Sequence, residues 1–213
     1  MQLSETKPLN VVIVDDHVAL RRGMELLLRR AGHHVVGTAD DAESGEVLIL
    51  RRKPDVALVD LALPGMSGAE LTRSLLRSDP ELRVILYTGA ADERQLLDGL
   101  DAGAAGFALK SGDPEELEQA ILTVAAGGDY LDPRLTPLLS KGRNGRPRTL
   151  SPREREIMGL LSQGLSGEEA ARRLFLSSET VRTHVRNAMT KLGAATRAHA
   201  VALAIQRGEI DPA

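Results

Sequence analysis

The sequence predicts two units: an α/β domain built on a doubly wound parallel sheet, and a small all-helical domain behind it. Three observations carry this. Over about the first 130 residues, short continuous apolar runs rich in β-branched residues alternate with helical patterns. Such runs suit parallel strands buried on both faces, and their alternation with helices indicates right-handed βα crossovers. Residues 150–208 hold no β-rich run. The charge also changes sign along the chain. Residues 1–130 carry 13 Lys/Arg against 22 Asp/Glu, a balance of −9, and residues 131–213 carry 14 against 8, a balance of +6. That asymmetry directs the C-terminal part toward a polyanion.

The strands begin with Asn10–Val14 (NVVIV), and Val56–Val59 and Val84–Tyr87 are equally clear. Val35–Val36 and Gly106–Leu109 are weaker runs. Leu20, Met24, Leu27, Leu28 and Ala31 recur at spacings of 4, 3, 1 and 3, which is one face of a helix. Further helices are expected at about 41–52, 68–78, 91–102 and 114–127. The last opens with Asp113-Pro114-Glu115-Glu116: an N-cap, a proline in the first turn and a carboxylate at the capping-box position. Residues 131–147 form the expected basic linker. The stretch Asp132–Thr149 holds three prolines, two glycines and five Lys/Arg around a short apolar patch, Leu135 to Leu139. The expected domains are therefore 1–130 and 148–213.

In the second domain, Ser151-Pro152-Arg153-Glu154 is again a capping box with proline at the first helical position. Ile157, Leu160 and Leu161 give the apolar face and Gly164 a C-cap. A short helix over about Glu168–Leu174 and a turn at Phe175–Ser177 precede a third helix ending near Leu192–Gly193. A fourth spans about Thr196–Arg207. Two helices joined by a tight turn in a basic module read as helix-turn-helix. At 100° per residue, Val181, Val185, Ala188, Met189 and Leu192 share one face of the third helix, and Glu179, Arg182, Thr183, Arg186, Asn187 and Thr190 the opposite one. That polar face is equipped to bond base edges or phosphates, and Arg favours guanine.

Composition excludes several functions. Hydrophobic residues at 42% and charged residues at 27% argue against disorder of the whole chain. No run of about 18 uncharged apolar residues exists, so no membrane span is expected, and MQLSETKPLN does not read as a secretory signal. With no cysteine there are no disulfides, thiol nucleophiles, zinc thiolates or iron–sulfur clusters, which fits a reducing cytoplasm. Aromatics at 2% leave no platform for stacking single-stranded bases.

Asp15 and Asp16 end the first strand, Asp60 the third, Thr88 the fourth and Lys110 the fifth. All fall on the carboxyl edge, where open α/β sheets bind ligands. Three converging carboxylates repel unless a cation joins them, and a few hard oxygen donors with room for water suit Mg²⁺. A nucleophilic carboxylate, a lysine and a hydroxyl together support phosphoryl chemistry through an acyl phosphate. Neither a Walker loop nor GxGxxG is present, so the phosphoryl group comes from elsewhere.

VVIVDDH, DLALPGMSG, Thr88-Gly89 and GFALK together resemble the receiver domain of bacterial two-component response regulators, over about residues 9–127. The segment from Leu150 to Ala204 resembles the LuxR-type four-helix DNA-binding domain. Jointly the chain is similar to NarL/FixJ-type response regulators. This implies a flavodoxin-like (βα)5 receiver with parallel strand order 2-1-3-4-5, a linker, then a four-helix helix-turn-helix domain. It implies Asp60 as phospho-acceptor, with Asp15, Asp16, Asp60 and the Ala62 backbone carbonyl as Mg²⁺ ligands. Thr88 and Phe107 match the switch pair, and Lys110 the phosphate-binding lysine. Arg182, Thr183 and Arg186 match base-reading positions, Thr180, Asn187 and Lys191 further DNA contacts, and His184 either a contact or packing. Val201, Leu203 and Ile205 match dimer contacts. The implied partners are a sensor histidine kinase, double-stranded promoter DNA and, when phosphorylated or DNA-bound, a second copy.

Some positions depart from the family pattern. Gly167-Glu168-Glu169 stands where a polar-plus-basic pair is common, Ser67 where an acidic residue is, and Leu63 where methionine is. Two other classes stay open. An aspartyl-phosphate phosphotransferase would want a second carboxylate two residues after Asp60, where Ala62 stands. A phosphorylation-independent regulator would not need the Asp/Thr/Lys set.

Overall fold

The computed structural model describes residues 7–142 and 149–211. Residues 143–148, which include the end of the expected linker and the first residue of the expected second domain, lie outside the described residues, as do residues 1–6 and 212–213.

The N-terminal part alternates β1 (Asn10–Val14), α1 (Val18–Arg30), β2 (His34–Ala39), α2 (Ala42–Arg52), β3 (Val56–Asp60), α3 (Gly68–Ser78), β4 (Val84–Thr88), α4 (Glu93–Asp101), β5 (Gly106–Leu109) and α5 (Pro114–Ala125). The weak run at Val35–Val36 is a six-residue strand, His34–Ala39, largely half-buried because it lies at the sheet's edge. A two-residue strand β6 (Tyr130–Leu131) follows, pairing parallel to β5. The sheet order is 2-1-3-4-5-6. The expected order 2-1-3-4-5 holds and gains one strand. The expected linker starts one residue too early, and its first part is structured: Pro133–Gly142 forms a 3-10 helix. Leu135 is buried, so the apolar patch is an anchor rather than a spacer.

Alternation along β1 sets the two layers. Val11 and Ile13 join Met24 and Leu28 of α1 and Leu117, Ile121 and Val124 of α5. Val12 and Val14 face Ile49 of α2, Leu71 and Leu75 of α3, and Leu96 and Leu100 of α4. Phe107 on β5 is fully buried, and its ring needs the missing side chain of Gly99. A Cβ there would lie 2.4 Å from Phe107 Cζ and 2.5 Å from Leu86 Cδ1. Gly99→Ala therefore overpacks the core beneath the sheet's carboxyl edge. We expect a loss of about 1–3 kcal/mol, read as a lower urea midpoint at unchanged slope.

The C-terminal part contains α6 (Pro152–Ser162), α7 (Gly167–Arg173), α8 (Ser178–Leu192) and α9 (Arg197–Gln206). The capping boxes at Asp113/Glu116 and Ser151/Glu154 are both formed. Two departures from the family pattern also find a local cause. Ser67 caps α3 in a capping box with Glu70, and Glu169 closes a capping box on Ser166. The turn between α7 and α8 passes through Phe175, whose φ of +55° makes the tight reversal and whose side chain is exposed. Val181, Val185, Ala188 and Leu192 are buried in the predicted face, with Met189 half-buried.

Candidate functional site

At the carboxyl edge of the sheet, Asp15 is 1% and Asp60 2% exposed. Two carboxylates that deep need compensation, because burial and mutual repulsion both disfavour their charge. Lys110 supplies it from the end of β5. Its Nζ lies 2.7 Å from Asp60 Oδ2 and 2.7 Å from Asp15 Oδ2. The ammonium also stands 5.9 Å above the Tyr87 ring, at the outer limit of a cation–π contact. Burial and the nearby Asp15 carboxylate push the Tyr87 phenol up. The second oxygen of Asp60 accepts the Ala62 N–H at 3.1 Å. Ala62, expected as a carbonyl ligand, thus meets Asp60 through its amide.

Gly68 opens α3 directly behind this aspartate. A Cβ on it would come within 2.2 Å of the Asp60 carbonyl oxygen, so only glycine lets the helix start there. Thr88 Oγ1 donates to the Ala90 carbonyl at 2.7 Å, while Phe107 lies inside the core.

Asp16 is partly exposed and completes the acidic set. Asp15, Asp16, His17 and Asp60 each offer one ligand atom within 4.8 Å of the others. Among the described residues Asp15 Oδ2 is buried and accepts no well-aligned hydrogen bond, and the Lys110 ammonium stands against it. A divalent cation fits this donor set. His17 was not among the residues singled out in the sequence, although it directly follows the acidic pair.

On α8, Arg182, Thr183, Arg186 and Asn187 are exposed, and Thr180 and His184 are half-buried. Arg182 Nη1 reaches Glu179 Oε2 at 2.8 Å across one helical turn, an exposed pair worth little. Thr183 Oγ1 bonds back to the Glu179 carbonyl at 3.0 Å, and Thr180 shares the N-cap of Ser177. Lys191, expected as a further DNA contact, has a partner within the domain. Its Nζ donates to both oxygens of the buried Glu154, at 2.9 and 2.8 Å. Burial alone would raise the Glu154 carboxyl, but Lys191 and the Ser151 groups outweigh it and hold the pKa below the usual range. Lys191 ties α8 to α6, while its side chain keeps 41% exposure.

Residues 11–122 match the response regulator receiver domain family, and residues 148–204 match the luxR family of bacterial regulatory proteins. The nitrate/nitrite response regulator NarL of Escherichia coli K12 is 35% identical over 206 residues, covering 93% of this chain and 95% of that protein. The chain belongs to the NarL-type two-component response regulators. This response regulator carries a receiver and a LuxR-type DNA-binding domain and acts as a transcription regulator. The DNA-binding transcriptional activator DevR/DosR of Mycobacterium tuberculosis is also 35% identical, over 203 residues, with 92% of this chain and 94% of that one covered. The solved structure of the response regulator RcsB–DNA complex aligns with a TM-score of 0.58 at 27% identity, over 94% of this chain and 99% of that one.

The two domains of this response regulator meet through α9. It packs on α4 and the 3-10 helix as well as on α6 and α8. Arg197, its first residue, donates its backbone N–H to Asp129 Oδ2 at 2.6 Å and its Nη2 to the Asp129 carbonyl at 2.9 Å. Burial raises the Asp129 carboxyl and lowers the Arg197 guanidinium, each partly opposed by the other. His199 Nδ1 accepts the Ala195 N–H at 3.3 Å, and its Nε2 lies 3.0 Å from Asp101 Oδ1 on α4. A cleft separates α5 (Gln119, Leu122, Thr123) and its C-cap Ala126 from the first half of α8 (Ser178, Val181, Arg182, Val185), with Glu168 on its wall. Val201 and Ile205, expected as dimer contacts, are buried, and Leu203 is half-buried. In this arrangement they are packing residues, and a dimer through them requires that side of α9 to be uncovered. No helix of the described residues is long and apolar enough to cross a membrane.

Proposed function

We propose that this regulator is switched by phosphoryl transfer from a sensor histidine kinase to Asp60. The observation that supports it most is the buried Asp60 carboxylate held between the Lys110 ammonium and the Ala62 amide, with Asp15 across the same lysine. A carboxylate fixed in this way presents an oriented nucleophile. The phosphorus–nitrogen bond of the kinase's phosphohistidine breaks as an Asp60 oxygen bonds to phosphorus, giving an acyl phosphate and free imidazole. Asp15, Asp16, Asp60 and the Ala62 carbonyl would hold Mg²⁺, whose charge offsets that of the phosphoryl oxygens. Lys110 turns from the two carboxylates to the new anion. Thr88 leaves the Ala90 carbonyl to donate to it, and Phe107 shifts in the space that Thr88 vacates.

The same reading assigns Arg182, Thr183 and Arg186 to the major groove, with Thr180 and Asn187 beside them. Helix-turn-helix proteins read bases with the N-terminal residues of the recognition helix, and α5 stands across the cleft from that half of α8. Phosphorylation would release the DNA-binding domain and permit a homodimer that reads two half-sites about one helical turn apart. The test compares duplex DNA binding and oligomeric state, by anisotropy and light scattering, with and without a small-molecule phosphodonor and Mg²⁺. Tighter binding and a larger species after treatment are the expected result, and identical curves would overturn the switch. Arg182→Ala is expected to cost about 1–3 kcal/mol on the selected operator. It should cost far less on non-specific duplex, measured in the same titration.

A further inference from the structure

The cleft between the two domains has a volume of about 440 Å³. Small-molecule sites run from about 300 to 1,000 Å³ and collect at domain interfaces. Leu122 and Ala126 on the receiver side and Val181 and Val185 of α8 give this cleft apolar walls. Arg197 lines it as well. Its guanidinium lies between two glycines. A Cβ on Gly128 would stand 3.1 Å from Nη2, and one on Gly167 would stand 3.4 Å from Nη1. Nη2 donates to the Asp129 carbonyl, whereas Nε and Nη1 have no acceptor among the described interactions. Burial penalises this charge, and Asp129 opposes the penalty only in part.

A guanidinium with two nitrogens unengaged keeps donors for an oxyanion, and its fork matches a carboxylate. Glu168 stands on the same cleft and carries the opposite charge. It works against a dianion such as a phosphate ester, which leaves a single carboxylate as the better match. We propose that the cleft is a binding site for a small monocarboxylate with an apolar body. The carboxylate meets Arg197, and the body lies between the receiver wall and α8. Two departures from the family pattern thereby take a role. Gly167 leaves Arg197 Nη1 uncovered, and Glu168 limits the charge the ligand carries. The walls belong to different domains, so the ligand binds the docked arrangement and shifts the population toward it. Its effect on DNA rests on the reading of α8 as the base-reading helix. Its binding does not.

The experiment titrates the full, unphosphorylated chain with 2-naphthoate and follows the naphthyl fluorescence, which no tryptophan of this chain obscures. One equivalent is expected to bind with a Kd of about 1 mM or tighter, the range that ligand efficiency sets for a molecule of this size. The uncharged isostere 2-naphthamide should bind about tenfold more weakly, because it loses the charge-assisted bonds to Arg197. Two variants at exposed positions test the place without touching Arg197, which also docks the domains. Ala126→Leu fills the cleft from the receiver side and should abolish binding. Glu168→Gln removes the opposing charge and should tighten 2-naphthoate about two- to fivefold, the worth of one exposed charge interaction. No saturable binding to wild type, equal affinity for acid and amide, or unchanged binding to Ala126→Leu would each overturn the proposal. Duplex DNA binding at saturating 2-naphthoate is measured alongside and should weaken in wild type but not in Ala126→Leu. Duplex binding that ignores a bound, Ala126→Leu-sensitive ligand would overturn the reading of α8 as the helix hidden in the docked form, and the ligand site would stand.

Discussion

An Asp60→Ala chain is expected to form no phosphoryl adduct under conditions where wild type gains one, read by intact-protein mass after incubation with Mg²⁺ and a small-molecule phosphodonor. The effect is all or none because no other carboxylate stands in the same position. Asp15 is equally buried, but its Oδ1 accepts the His17 amide and its Oδ2 faces Lys110. Asp16 is partly exposed and has no contact with the lysine among the described interactions. Only Asp60 combines the Ala62 amide with the Lys110 ammonium. The variant should still fold. Removing one of two carboxylates that share a lysine relieves like-charge repulsion and leaves Lys110 paired with Asp15. A urea midpoint close to wild type checks that the loss is chemical. An adduct of wild-type extent on Asp60→Ala would remove Asp60 as acceptor.

The site was legible in the sequence because its parts sit at strand ends. Four apolar runs each stop at a polar residue, and the parallel sheet brings those ends to one edge whatever the helices between them do. The buried face of α8 followed from periodicity, and the strand order from the family resemblance. What stayed hidden depends on partners far apart in the chain. Nothing local marks β6, which is two residues long and exists because Tyr130 and Leu131 find Gly106 and Phe107. Proline-rich Pro133–Gly142 has linker composition, yet Leu135 anchors it and Arg134 pairs with Asp132 and Glu116. Lys191 lies at the C-terminal end of the expected recognition helix, and its commitment to Glu154 rests on a carboxylate 37 residues away. His17 had a local signal, an imidazole beside an acidic pair, but a nitrogen donor does not fit the oxygen set that magnesium prefers.

Asp129→Ala is expected to separate the two domains and raise the DNA affinity of the unphosphorylated protein about tenfold or more. Arg197 enters the interface with both its amide and its guanidinium on Asp129. Deleting the carboxylate leaves the Arg197 N–H without its acceptor and removes the nearby negative charge that opposes desolvation of the guanidinium, although the Asp129 carbonyl still accepts its Nη2. The protein avoids that cost by exposing Arg197 to water, which undocks α9 from the receiver. A closed form that binds DNA poorly lowers apparent affinity by the fraction of open molecules, so the gain is capped by the closed-to-open ratio. Asp129 lies in the receiver, so a gain on DNA reports the docking and not a new DNA contact. Acid acts in the same direction. Burial holds the His199 imidazole below its ordinary pKa despite Asp101, with Arg207 adding to the shift. A buried histidine with a depressed pKa loses stability as pH falls from its ordinary value toward the lowered one, because the exposed form takes up the proton first. The docked form should therefore weaken below about pH 6.5, the ordinary histidine range. His199→Gln should flatten that dependence. The radius of gyration from X-ray scattering reads both effects without any operator sequence, and duplex binding at low salt reads the consequence. An Asp129→Ala/Arg197→Ala protein removes both charges and so any penalty from an orphaned one. If it matches wild type in radius and in DNA affinity, the Arg197–Asp129 contact does not hold the domains closed.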